Sequence, residues 1–504
     1  MRTPRQLSSH LDRKGRIRRP ALIKPSTLFH LSLLALASCG GEKQPNVLLI
    51  TMDTTRADYL SIYGSKTTKT PHLDALASRG ARFDMALSAS AVTPVSHATI
   101  MTGLFPYEHG LRVLSAAGGY KLPAEVPTIA TTLKERGYTT IAVHSAFPVS
   151  GHFGFDQGFD IFESFDIEIE RTNLVQDRWD ISKGQRRSDE TTDIALLQLA
   201  DVEEPFFMWI HYWDPHDPVI LPPAEYLPEG ELTGRHVEIY AAEVQYLDSQ
   251  FGRLMEGMSE LDVLDDTMIC VTADHGQGLD DGLNLHGWFS HRILYQEQIH
   301  VPLLLAGPSI PAGRSSAAVV RTADISATIY DYLNVPPPGT ISGSSLRPLI
   351  EGQADAPRIA YADQINGFDY NARMVTNRPQ AKFLFVVVVD GWKLIYRPTD
   401  PNTSELYDLS SDPREQRNRF AAEPAKAKIL MRELASRQPW VLEPFQADGS
   451  AGPTDEAQSV LEALGYAGGG GQSESVWSWY SISSGEVREE RDSFPAADCL
   501  PALR

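Results

Sequence analysis

Cysteine is scarce: three residues in a chain of 504 cannot build a disulfide framework or a thiolate metal site. Cys270 lies inside the apolar run TMICVTAD, where a buried free thiol is expected, and Cys499 falls in a stretch that reads as a tail. Positive charge is also short, with 45 lysines and arginines against 65 acidic residues and a formal net charge of −20. Such a surface repels nucleic acid and other polyanions and is compatible with capturing divalent cations. No internal repeats are present, which argues against a solenoid or propeller. What remains, 42% hydrophobic and 9% aromatic, is an ordinary globular composition, in a chain long enough for one large domain, a smaller companion and a tail.

The first 38 residues stand apart. A basic run (Arg13, Lys14, Arg16, Arg18, Arg19, Lys24) precedes an apolar stretch, Leu28 to Ala37, too short to span a bilayer as a finished helix. The stretch runs into LASC, which resembles the lipobox of bacterial lipoprotein signal peptides. The resemblance implies cleavage before Cys39 and lipidation of that residue. The mature protein would then be tethered to the membrane by lipid, in the cell envelope, facing the periplasm or the cell exterior. Plain secretory cleavage is the alternative. Loss of residues 1–38 removes eight basic residues and one acidic one, and takes the formal charge from −20 to −27.

From residue 46 to about 335, short apolar runs alternate with longer helical patterns, the signature of an α/β fold with a mostly parallel sheet flanked by helices. The predicted strands are NVLLITMD (46–53), YTTIAVHS (138–145), PFFMWIHYWD (205–214), TMICVTADHG (267–276) and VPLLLAGP (301–308). Helices are punctuated by Thr70-Pro71 and Gly80, by Pro127 and Gly137, and by helical spacing over 236–260. Past Pro336-Pro337-Pro338 the pattern changes to two strands around Asp390-Gly391, then ELYDLSSDP and a helix over about 422–437. This predicts a small antiparallel α+β subdomain over 340–440, and four glycines from 468 open a tail (467–504) without a fold.

Several strands end in Asp or His, where open α/β sheets build their sites. Asp53 closes the first, Asp214 and His216 follow the third, and Asp274-His275 close the fourth. Together these form a hard oxygen and nitrogen donor set suited to Ca²⁺, Mg²⁺, Mn²⁺ or Zn²⁺, although each acid alone could be a helix cap. Thr93 precedes a predicted helix, Ser96 to Met101, so an anion beside its hydroxyl would face free backbone N–H groups. The bland alternative is that Thr93 or Ser96 caps that helix.

The order TPHLDALASRGARFD, TPVSHATIMTG, LFPYEHG, ADHG, DGWKLIY and ELYDLSSDP resembles the sulfatase family of the alkaline phosphatase superfamily, over about residues 46–435. The resemblance implies an alkaline-phosphatase-like sheet and a metal-dependent hydrolase of sulfate or phosphate esters, acting on a small anionic ester or glycan. It implies that Asp53, Asp274 and His275 are metal ligands, with Thr93 and Asp214 as further donors. Thr93 takes the nucleophile position, and His216 and His291 sit where the family contacts the substrate anion or the leaving oxygen. His97, last of the five motif residues Thr93-Pro94-Val95-Ser96-His97, is expected on the substrate too.

The departures matter equally. Sulfatases carry Cys or Ser, then x-Pro-x-Arg, and the first residue is oxidised to formylglycine. Threonine cannot become that aldehyde, and the motif's Pro and Arg are missing. Thr54 replaces the second acid of the usual Asp-Asp pair, and the Lys-Trp-His normally found near IAVHSAF is absent, with His144 close by. A threonine alcohol needs a divalent cation to become an alkoxide. Cleaving the resulting covalent intermediate would be helped by a second cation roughly 4 Å away, for which Asp214, His216, His291 and His286 are the expected donors. One cation is therefore expected and a second is possible, and the threonine favours a phosphoester. A transferase moving a phospho-substituent between lipid and glycan, or a non-catalytic binding protein, are the competing readings.

Overall fold

The computed structural model describes residues 43–114, 119–164, 185–216, 221–232, 235–282, 286, 291–366, 379–398 and 400–437. The leader with Cys39, the expected tail and Cys499 lie outside the described residues.

The chain opens with β1 (Asn46–Met52), α1 (Pro71–Ser78) and β2 (Ala81–Leu87), then helices α2 (Thr93–Thr102), α3 (Pro106–His109) and α4 (Ile129–Lys134). Next come β3 (Thr139–His144), β4 (Ile161–Glu163), α5 (Ser188–Ala200), β5 (Phe206–Tyr212), α6 (His236–Glu260) and β6 (Thr267–Thr272). The short α7 (Gln296–Ile299) leads into β7 (His300–Val301), β8 (Leu303–Ala306), β9 (Arg314–Arg321), α8 (Asp324–Tyr332) and α9 (Arg347–Ile350). The last elements are β10 (Ala360–Gln364), β11 (Leu384–Val389), β12 (Trp392–Tyr396), β13 (Glu405–Asp408) and α10 (Pro424–Ser436).

Nine strands form one sheet in the order β4, β3, β5, β1, β6, β8, β2, β7, with β9 also on β2. The run from β4 to β6 is parallel throughout. The segment VPLLLAGP was expected to extend this parallel array. Instead β8 runs antiparallel to both β6 and β2. Strands β2 (ARFDMAL) and β9 (RSSAAVVR) are among those that escape sequence reading, since neither is a continuous apolar run and β9 has an exposed start.

Side chains alternate across the sheet. Val47 and Leu49 of β1 pack on one face with Phe207, Trp209, Ala142, Met268 and Cys270, whereas Leu48 and Ile50 pack on the other with Met208, Ile210, Ile141 and Val143. Following the first set toward the strand ends gives His144, His211, Thr51 and Thr272 in one row across four adjacent strands, with Asp53 and Asp274 two residues further on.

The second sheet is antiparallel, in the order β10, β11, β12, β13. Asp390 (φ 49°) and Gly391 (φ 77°) join β11 to β12, and two successive positive φ values are what a two-residue hairpin of matching twist requires. The small sheet shares its core with the large one: Tyr361, Phe385, Val387 and Leu394 belong to the same buried cluster as Val47 and Leu49. The loop between β2 and α2 is bonded directly to β10, with Asp363 N donating to Ala89 O (3.0 Å) and Ser90 Oγ donating to Asp363 O (3.0 Å).

Candidate active site

Helix α2 begins three residues earlier than the sequence suggested. Thr93 is its first residue, Val92 the N-cap, and no side chain caps it. Ser96 Oγ donates back to the carbonyls of Val92 and Thr93 (both 3.1 Å), as a hydroxyl inside a helix does. Neither residue is therefore the cap that the alternative reading proposed, and every residue of α2 is buried. Its first-turn amides, at the helix end that favours anions, lie where the strand ends converge.

Asp53, Asp274 and His275 each present a ligand atom, all within 4.8 Å of one another, and all three residues are buried. Thr93 Oγ1 is 3.3 Å from His275 Nε2, and its hydroxyl is near enough to Asp53 to favour the ionised carboxylate there. His275 Nδ1 donates to the Gly276 carbonyl (2.9 Å), which turns Nε2 toward the carboxylates, 3.3 Å from Asp274 Oδ2. Gly276 is itself constrained, since a Cβ there would lie 2.3 Å from the Glu297 carbonyl oxygen.

Each acid has one oxygen held by the protein and one without a hydrogen-bond partner. Asp274 Oδ1 accepts from the amides of Thr54 (3.0 Å) and His275 (2.7 Å), and Asp53 Oδ2 accepts from His211 Nε2 (3.0 Å). Asp53 Oδ1 and Asp274 Oδ2 are buried and take no hydrogen bond. Burial, then the charge of Asp274, pushes the Asp53 carboxyl well above the usual carboxylate range. Two buried acids with orphaned oxygens, beside an imidazole and a hydroxyl, are costly unless a cation lies between them. The donor set fits a single divalent ion. Thr54, at the position of the family's second acid, is held at φ 50°, with a buried Oγ1 that takes no hydrogen bond.

Two expected donors lie elsewhere. Asp214 Oδ1 accepts from Ser188 N (3.1 Å) and Ser188 Oγ (2.8 Å), at the start of α5. Among the described residues it is outside the group that could hold a metal, so its expected ligand role is not supported. It sits in the 3₁₀ turn that follows β5, held against α5, whose Ala195 and Leu199 pack on the sheet face of Met208 and Ile210. His286 is bonded through Nδ1 to Glu297 Oε1 (2.8 Å) and through Nε2 to the Glu415 carbonyl (3.1 Å), and is stacked on Tyr295 at 3.5 Å. A second cation therefore lacks the carboxylate expected for it.

His97, expected on the substrate, is a buried brace instead. Its Nδ1 donates to the Thr93 carbonyl (2.8 Å) and its Nε2 accepts from Thr51 Oγ1 (3.0 Å), which in turn accepts from Trp209 Nε1 (3.0 Å). Both ring nitrogens are used within the protein. His216 and His291 do gather at the site. The His291 ring is 4.7 Å from that of His275 and 5.4 Å from that of His216, which stacks on Trp213 at 3.8 Å. Burial holds both His216 and His291 well below the usual histidine range. His291 Nδ1 donates to the Ala91 carbonyl (2.9 Å), so Nε2 carries the lone pair.

Sequence reasoning missed His211, Thr51 and Trp209. The signal was in the alternation of PFFMWIHYWD, where Trp209, His211 and Trp213 share a face and Thr51 pairs in register with His211.

The profile of the Sulfatase family matches residues 45–335, and that of the N-sulphoglucosamine sulphohydrolase C-terminal region matches residues 284–438. The chain is 26% identical to an N-acetylglucosamine-6-O-sulfatase of Bacteroides thetaiotaomicron, over 87% of this chain and 93% of that protein. A structure in complex with its substrate D-glucosamine-2-N,6-O-disulfate superposes with a TM-score of 0.64 and 23% identity, covering 81% of this chain and all of that one. The phosphonate monoester hydrolase of Agrobacterium radiobacter does so with a TM-score of 0.63 and 22% identity, covering 78% of this chain and 96% of the other. With the fold, the buried donor set and more than half the chain in agreement, this protein belongs to the sulfatase family of the alkaline phosphatase superfamily and is an ester hydrolase.

Proposed function

We propose that the chain hydrolyses a sulfate or phosphate ester of a small anionic or glycan substrate, a phosphoester by preference, with Thr93 as the nucleophile. The observation that carries this reading is the placement of Thr93 Oγ1, 3.3 Å from His275 Nε2 at the edge of the buried Asp53, Asp274 and His275 group. Asp53, Asp274, His275 and Thr93 would hold a divalent cation, which when bound lowers the pKa of the threonine hydroxyl and offsets charge on the ester oxygens.

The chain's own groups supply the rest. Thr93 Oγ1 attacks phosphorus or sulfur, its proton passes by way of His291 Nε2 to the ester oxygen, which leaves as the alcohol, and a phospho- or sulfothreonine remains. The first-turn amides of α2 face the anion, with His216 beside it. With no second group of acids that could hold a cation among the described residues, His291 Nε2 is the base that takes a proton from the water that cleaves the intermediate. Lipidation at Cys39 would keep this chemistry at a membrane surface in the cell envelope.

The test uses purified protein with nitrophenyl phosphate, its diester and nitrophenyl sulfate, for wild type, Thr93→Ser and Thr93→Ala. Thr93→Ala is expected to lose about 10³-fold or more of activity while Thr93→Ser keeps a measurable part. Acid-quenched wild type should carry substrate-derived mass on the peptide containing Thr93. Undiminished cleavage by Thr93→Ala would refute the nucleophile.

A further inference from the structure

We propose that His211 is the positioning residue for Asp53: it fixes which carboxylate oxygen faces the cation, and it is not itself a ligand. The inference rests on reading Asp53, Asp274 and His275 as a cation site, and it is independent of what Thr93 does.

The tautomer of His211 follows from its partners. The Ser145 amide N–H points at Nδ1 (3.4 Å), and an amide can only donate, so Nδ1 carries the lone pair and Nε2 the hydrogen. That hydrogen is donated to Asp53 Oδ2 at 3.0 Å. No lone pair is left on the ring to bind an ion. Oδ1 of Asp53 is the oxygen that takes no hydrogen bond, so donation to Oδ2 selects Oδ1 for the cation.

The ring is also prevented from turning. Ser145 Oγ donates to the His211 carbonyl at 2.5 Å, and the Ser145 main chain lies just past β3 while His211 sits within β5 and Asp53 just past β1. The relay Ser145, His211, Asp53 thus crosses the ends of three neighbouring strands, whose residues in register with His211 are His144 and Thr51. His97 packs edge-on at 5.1 Å and Trp213 lies at 6.1 Å from the imidazole, which is fully buried. A carboxylate held by a locked donor loses little freedom when an ion binds, and groups in this position typically change metal affinity by about 10- to 100-fold.

The decisive experiment is calorimetric titration of the metal-stripped full chain with Mn²⁺ alone and with Ca²⁺ alone, comparing wild type, His211→Gln and His211→Asn. The glutamine amide nitrogen can reach the place of Nε2, whereas the asparagine amide stops near Nδ1, so the pair differs in reach and not in chemistry. Expected is a loss of about 10-fold or more for His211→Asn with most of it restored by His211→Gln, and circular dichroism matching wild type for both. Equal affinity in all three proteins would overturn the positioning role while leaving the cation site standing. Equal weakening by both variants would also overturn it, since mere loss of packing would then suffice. Absence of binding by wild type would remove the cation site and this inference with it, and would leave the Thr93 hydroxyl without the cation it needs.

Discussion

The imidazole of His97 donates its Nδ1 hydrogen to the main-chain carbonyl of Thr93, 2.8 Å away and one helical turn earlier. The candidate nucleophile is thereby tied through its backbone to Thr51 and Trp209 on the sheet beneath it.

Replacing His97 by phenylalanine keeps most of the volume and removes both hydrogen bonds. The Thr51 hydroxyl and Thr93 carbonyl would be left buried without this partner, at a cost of about 1–3 kcal/mol. Urea denaturation should show that loss, and steady-state kinetics should show a fall in kcat exceeding any rise in KM. A variant as stable and active as wild type would refute the brace.

Asp53 is pushed up by burial and by Asp274, so the metal-free protein carries an unfavourable pair of acids. Asp53→Asn is expected to raise the melting temperature of the metal-stripped protein and to abolish its response to added Mn²⁺ or Ca²⁺. Wild type should gain about 2.7 kcal/mol when free ion reaches a hundred times its Kd. A thermal shift assay reads both effects, and stabilisation of Asp53→Asn by either ion would contradict the assignment.

Burial pushes the Asp214 carboxyl up to about 6 from the ordinary 3.8, against the bonds from Ser188. A folded-state value above the unfolded one means that the acid contributes stability below about pH 4 and loses it as the pH rises through 6. Asp214→Asn keeps an acceptor for Ser188 and cannot ionise. Its stability relative to wild type should therefore increase by roughly 3 kcal/mol between pH 4 and pH 8. Urea midpoints at three pH values test this, and a difference constant with pH would refute it.

Lys393 Nζ and Glu415 Oε1 form a fully buried ion pair at 2.7 Å, with Gln296 Oε1 3.2 Å from the ammonium. Lys393→Met should destabilise by about 3–5 kcal/mol by stranding the acid, and adding Glu415→Leu should restore much of that loss. A double variant no more stable than Lys393→Met would show that packing, and not stranded charge, dominates.

The catalytic sheet was legible because each of its central strands is an apolar run ending in Asp or His. The length of α6, 236–260, was legible from spacing alone. Which face each terminal residue takes was not. Asp214 and His216 are two residues apart in sequence, yet one caps α5 and the other lies beside His291. Alternation cannot separate them, because both lie in the 3₁₀ turn that follows β5, although within the strand it does point to His211. His97 was misplaced for a different reason: its motif position implies a substrate contact, but its partners are set by how α2 lies over Thr51, which no local pattern encodes. The antiparallel β8 was misread because burial on both faces gives an apolar run in either direction.

The bonds from Asp363 to Ala89 and Ser90 join the small sheet to the loop that delivers Thr93. Strand β10 acts as a splint on that loop, so the region matched by the Sulfatase profile alone would not hold α2 in register. Hydrogen exchange at the amides of Ala91, Val92, Thr93 and Val95 should then proceed only with opening of both sheets together, and a protease cut between them would slow turnover before it released either piece.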